Sequence, residues 1–167
     1  MCLSGYQLLR DMGHPYASVG TINNWIKDMD MQPGFQEQNF KLLALEAKKW
    51  KPQDCIGVLV SDEIHIKASF EVDPSTQSIL GMPTIPVNSK PGKKVCPDTP
   101  ATKAMVFTIV GMATRWKVIA AYHFTANSFC STTVGYIIKG IIQKAKEDCG
   151  VTIVANSMDS APANMAI

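Results

Sequence analysis

Residues 58–67 read VLVSDEIHIK, and the two carboxylates set into this apolar run decide how the rest of the chain is read. Val58, Leu59 and Val60 open as a buried strand, Asp62 and Glu63 follow back to back, and Ile64 and Ile66 resume the apolar pattern. An interior carboxylate without a partner is expensive to desolvate. Either the strand ends at the acids and water solvates them, or positive charge stands beside them. Side chains alternate across a strand, so Asp62 and Glu63 face opposite ways. At most one of them points toward a shared site, and Glu63 is expected to make a salt bridge or meet solvent.

Working outward, residues 55–73 are rich in Val and Ile and read as extended structure. Residues 73–77 (DPSTQ) form a turn, and 78–82 fold back as a short hairpin strand. Residues 83–103 hold five prolines and four lysines and read as a surface loop. Their PGKK lacks the glycine spacing of a phosphate-binding loop. Residues 104–112 and 117–125 are two strands, antiparallel because ATRW joins them directly. A helix follows from about 131, with Val134, Ile137, Ile138, Ile141 and Ile142 as its apolar stripe and Gly150 as its stop. Residues 151–155 are a further strand, made parallel to an earlier one by the intervening helix. Residues 156–167 are expected to enter another helix.

Toward the N-terminus, residues 3–12 and 18–29 read as short helices, with Ser18 or Thr21 as cap of the second. QPGF, residues 32–35, reads as a turn. A third helix over about 35–50 places Phe40, Leu43, Ala44 and Ala47 on one face. The expected division is a helical segment over 1–52 and a sheet domain over 53–167.

The length suits one domain with a small appendage. A net charge of +2 is too small to argue for nucleic acid by itself. No apolar run reaches bilayer length, and Arg10 with Asp11 interrupts any secretory signal, so a membrane partner is not expected and an intracellular chain is. Cys2, Cys55, Cys96, Cys130 and Cys149 are odd in number and include no C-x-x-C pair, which fits reduced, buried thiols. His14, His65 and His123 show no zinc spacing.

Strand, strand, strand, helix, strand is the opening of an RNase H-like α/β fold, a mixed sheet here truncated after its fourth core strand, though other α/β domains, a metal-independent binding domain among them, begin in the same way. There the first and fourth strands are parallel neighbours. Asp62 lies on the first and Asp159 just beyond the fourth, so the two carboxylates would meet. Such a pair repels unless one takes up a proton or a cation stands between them. Mg²⁺ or Mn²⁺ suits oxygen ligands, and two such ions can activate water and stabilise the leaving oxygen in phosphodiester cleavage. Read from spacing alone, Asp62 is better taken as a solvated strand-end acid and Asp159 as a helix cap.

Several stretches together resemble the P-element type of transposase. QPGF and its helix are similar to that family's lead-in, LVSDEIHIK to its first catalytic strand, EVDPSTQSILG to the hairpin beyond, and AMVFTIVGMATRWKVIAAYHFT to its paired strands. GVTIVANSMDSAPAN resembles the approach to the second catalytic aspartate, with Asp159, Ala161 and Asn164 at the motif positions; the family has glycine where Ala161 stands. The resemblance implies Asp62 and Asp159 as catalytic, metal-binding acids for Mg²⁺ or Mn²⁺. It also implies DNA transposition and integration, with transposon-end DNA as partner and the nucleus as location. Residues 1 to about 30 would preserve part of a helix-turn-helix region, but Arg10 and Lys27 are their only positive side chains, so packing or dimerisation suits them equally.

The family's third acid lies well beyond the second aspartate, past Ile167. Its zinc-coordinating DNA-binding module and guanine-nucleotide insertion also have no counterpart among these residues, so no nucleotide-binding module is expected. The chain by itself is therefore expected to be inert as a nuclease, and the alternative reading is a non-catalytic, domesticated or decaying derivative that binds DNA or protein. An uncovered sheet edge and apolar face lead to an expectation of self-association.

Overall fold

The computed structural model describes residues 3–26, 32–72, 77–90 and 93–158. Two units divide the chain, Met1–Met31 and Gln32–Ile167.

The first unit holds α1 (Leu3–Asp11) and α2 (Val19–Ile26). Between the helices, Tyr6 Oη donates to the Ala17 carbonyl at 2.7 Å. Ser18 caps α2: its Oγ accepts the Thr21 N–H at 2.9 Å, satisfying a first-turn donor that has no partner within the helix.

The second unit runs β1 (Gly34–Phe35), α3 (Glu37–Ala47), a 3-10 turn (Pro52–Cys55), β2 (Ile56–His65), β3 (Glu71–Val72), β4 (Ile79–Leu80), β5 (Val87–Lys90), β6 (Lys93–Val95), β7 (Lys103–Gly111), β8 (Lys117–Thr125), α4 (Ser131–Cys149) and β9 (Thr152–Met158). Five strands form a mixed sheet in the order β1-β8-β7-β2-β9. β2, β7 and β8 are an antiparallel meander, and α4 carries the chain back so that β9 lies parallel to β2. This is the α/β architecture that the order of elements predicts.

The period of each element explains the core. Leu59, Met105, Phe107 and Ile109 alternate along β2 and β7 and are buried on one sheet face. Val134, Ile138, Ile141 and Ala145 of α4, with Phe40, Leu43 and Ala47 of α3, pack on that face. The helix α3 thus packs within the unit Gln32–Ile167 that holds the sheet. α4 ends where Gly150 adopts a positive φ of 70°, letting the Val151 N–H reach the Ala145 carbonyl at 2.9 Å.

The β7–β8 turn closes on Trp116. Its indole nitrogen donates to the Asp54 carbonyl at 3.0 Å, and its ring lies 4.8 Å from that of Trp50. Gly111 is required there, because a Cβ would collide with the indole and the Thr114 carbonyl. This knot fastens the 3-10 turn that leads into β2.

Two readings are corrected. Residues 83–103 are more than a surface loop: they contain the β5–β6 hairpin, and Ile85 and Ala101 are buried. The N–H groups of Thr84 and Ile85 both donate to the Phe124 carbonyl, and the Pro86 carbonyl accepts from Cys130. Pro86 and Pro97 lie outside the paired residues, where no ladder donor is needed. QPGF is not simply a turn either, since Gly34 and Phe35 pair with Tyr122 and Ala121. No helix among the described residues is long and apolar enough to cross a membrane.

His123 on β8 meets Thr84 Oγ1 through Nδ1 at 3.2 Å, while its buried Nε2 finds no partner among the described residues. Burial pushes its pKa below the ordinary 6.5, because a second proton would leave a desolvated cation with an unpaired N–H. The unfolded chain therefore binds that proton more readily. The stability held by the neutral ring is full above pH 6.5 and is lost as the pH falls from there through the folded value. The denaturant midpoint is expected to drop over this window, and His123→Asn should flatten the drop; an equally steep profile in the variant would contradict this.

Candidate functional site

β2 is the central element of the site. Its neighbours are β7, with Asp62 opposite Val106, and β9. Alternation puts Leu59 and Ser61 on the buried face and Val60 and Asp62 on the exposed one. The Asp62 carboxylate makes no hydrogen bond or ion pair with any described residue.

Glu63 has the opposite environment. Lys103 Nζ donates to its Oε2 at 2.9 Å, and Thr125 Oγ1 donates to its Oε1 at 3.2 Å. The side chains of Glu63 and Lys103 are only 15% and 25% exposed, and Thr125 is fully buried. The adjacent acids of the sequence are thereby divided: Glu63 is paired on the core face, as expected, and Asp62 is left free on the other.

The parallel ladder between β2 and β9 contains one irregularity. Ile153 pairs with Gly57, but Ala155 pairs with Val58, leaving Val154 as an extra residue. Burial agrees with this bulge. Ile153 and Met158 both lie against the core although they are five residues apart, a spacing that simple alternation would put on opposite faces. Beyond the bulge the ladder runs regularly to Ser61 opposite Met158. These are the residues that immediately precede Asp62 and Asp159. Asp159, Ala161 and Asn164 themselves lie outside the described residues.

Among the described residues, no three His, Cys, Asp or Glu side chains gather into a metal-binding group. Asp62 supplies one hard oxygen donor, exposed and unpaired, which is the donor chemistry that Mg²⁺ and Mn²⁺ prefer. The cleft at the β7–β8 turn, lined by Met112, Arg115 and Trp116, lies at the other end of the sheet from Asp62 and adds nothing to this group. The residues that sequence reasoning did not mark are Lys103 and Thr125. Neither has a local signal; they are identified by strand register alone.

A family profile described as TNP-like, RNase H N-terminal domain matches residues 31–167. The fold is similar to that of a chain in the Drosophila P element transposase strand transfer complex, with a TM-score of 0.66 at 21% identity, over 98% of this chain and 31% of that one. The chain thus spans about a third of that solved chain's length. No curated protein sequence matches it. The profile covers all the strands described above, including both that flank Ser61, and the resemblance to P-element-type transposases read from the motifs agrees with it: the chain belongs to the TNP-like RNase H N-terminal domain family.

Proposed function

We propose that this chain is the first part of the catalytic domain of a DNA transposase, in which Asp62 and Asp159 together hold divalent metal ions. The observation that carries the reading is the parallel pairing that brings Met158 beside Ser61, each followed directly by an aspartate. The free state of Asp62 supports it, because a carboxylate already engaged by a lysine would resist a metal. When bound, Mg²⁺ or Mn²⁺ would activate a water and stabilise the leaving oxygen of a phosphodiester. The chain's own part in this reading would be to present the Asp62 carboxylate near the end of β2, with a second supplied by the aspartate that follows β9. The partner in this reading is transposon-end DNA in the nucleus. Self-association is proposed through the sheet face that leaves Val60, Ile64 and Ile119 exposed.

Mn²⁺ titration followed by electron paramagnetic resonance or calorimetry tests the reading. Two carboxylates give weak binding, with an expected Kd of about 10⁻³ M. Asp62→Asn and Asp159→Asn should each weaken binding by about tenfold or more. Equal binding by the double variant would remove both residues from the ligand set. A native chain that binds no Mn²⁺ would be the non-catalytic derivative instead.

A further inference from the structure

The pairing of Glu63 goes further than the solvation of one acid. We infer that Glu63 is a positioning residue for Asp62, acting through a three-strand clamp; this rests on the reading of Asp62 as a metal ligand. One carboxylate joins the end of β2 to the first residue of β7, Lys103, and to the last residue of β8, Thr125. Backbone bonds continue the clamp: the Ile66 N–H donates to the Thr102 carbonyl at 3.0 Å, and the Thr102 N–H donates to the Thr125 carbonyl at 3.1 Å. Without these bonds the last residues of β2 would behave as a strand end, which frays.

The clamp lies immediately beyond Asp62, on the face that Asp62 avoids. Consecutive residues of a strand share one peptide plane, so fixing the side chain of Glu63 fixes the backbone that orients Asp62. A carboxylate that must meet a second, remote carboxylate across a strand boundary gains from being held in one direction before the ion arrives. The two acids of the opening sequence then have distinct tasks: Asp62 offers an oxygen to the ion, and Glu63 holds the strand that carries it. The ion pair also occupies Lys103, whose ammonium would otherwise need another counter-charge in a half-buried position.

The test uses the full chain with Mn²⁺ as probe, together with amide hydrogen exchange at residues 61–65. Glu63→Ala is expected to weaken Mn²⁺ binding about tenfold although both aspartates remain, and to speed exchange at the end of β2 about tenfold. The double variant Glu63→Gln with Lys103→Met keeps an acceptor for Thr125 and removes the unmatched charge, so it should recover binding to within about threefold. Ile141→Val, a core change on α4 that touches no bond of the clamp, serves as a comparison for general loss of stability and should leave Mn²⁺ binding unchanged.

Loss of affinity in Ile141→Val equal to that in Glu63→Ala would reduce Glu63 to a general contributor to stability and overturn the inference. So would native affinity in Glu63→Ala while Asp62→Asn abolishes binding, and that outcome leaves the metal reading intact. If the native chain binds no Mn²⁺, the metal reading fails and exchange alone decides the clamp: unchanged rates at 61–65 in Glu63→Ala would refute it.

Discussion

Phe107→Ala is expected to destabilise the sheet unit by about 3–5 kcal/mol, the usual cost of emptying an aromatic site in a core. Phe107 is on β7, the middle strand of five, and is completely buried. It belongs to the cluster that joins the sheet to α3 and α4, and its ring meets the edge of His123 at 6.4 Å. Its strand neighbours Ser61 and Ala121 are small, so nothing adjacent in the ladder can fill the vacated volume. Set against a typical total of about 5–15 kcal/mol, this is a large fraction. It should lower the melting temperature by roughly 10 °C at about 2–4 °C per kcal/mol for a chain of this size. Thermal and denaturant unfolding measure it. A loss below about 1 kcal/mol would mean that the helices do not close on this face as described.

Much of the fold can be read in the residues because local and tertiary preferences agree there. The strand over 117–125 and the helix ending at Gly150 match their expected bounds, since each has an unbroken period and a clear stop. The disagreements lie where tertiary contacts decide. The β5–β6 hairpin sits among prolines, and its roots are held by Phe124 and Cys130, residues far along the chain. β1 is two residues long and exists only because β8 offers an open edge. β9 continues past Ala155 through Met158, where the start of another helix was expected, because β2 supplies partners as far as Ser61; the rest of that expected helix lies outside the described residues.

The candidate site divides in the same way. Asp62 is conspicuous as a charge in an apolar run, and the alternation rule already assigns Glu63 to the other face. The bulge at Val154 has no sequence signature. It nevertheless sets which face each residue of β9 from Ala155 to Met158 presents, since without it they would each face the other way. Lys103 and Thr125 are likewise visible only once the register of three strands is known.

That register makes the second large prediction. Adjacent parallel strands lie about 4.8 Å apart, well within the Cα separation that a disulfide spans. If the ladder continues one step beyond Ser61 and Met158, residues 62 and 159 are neighbours on the same face. Met158 turns its side chain to the core, so residues 62 and 158 point apart. An oxidant should therefore join cysteines placed at 62 and 159 quickly, and cysteines at 62 and 158 about tenfold more slowly or not at all. Of the native thiols, Cys130 and Cys149 are buried as expected, but Cys96 is exposed and Cys55 half-buried, so both are replaced by serine in the assay and peptide mapping identifies each bridge. The assay replaces both proposed ligands and needs no metal, so it reads geometry alone.

The most direct measurement of whether two remote acids meet is the rate of this cross-link in Asp62→Cys with Asp159→Cys, compared with Asp62→Cys with Met158→Cys. Rapid bridging of the first pair and slow bridging of the second is the expected result. Equal rates, or a preference for residue 158, would put residue 159 on the wrong face and contradict the shared metal site.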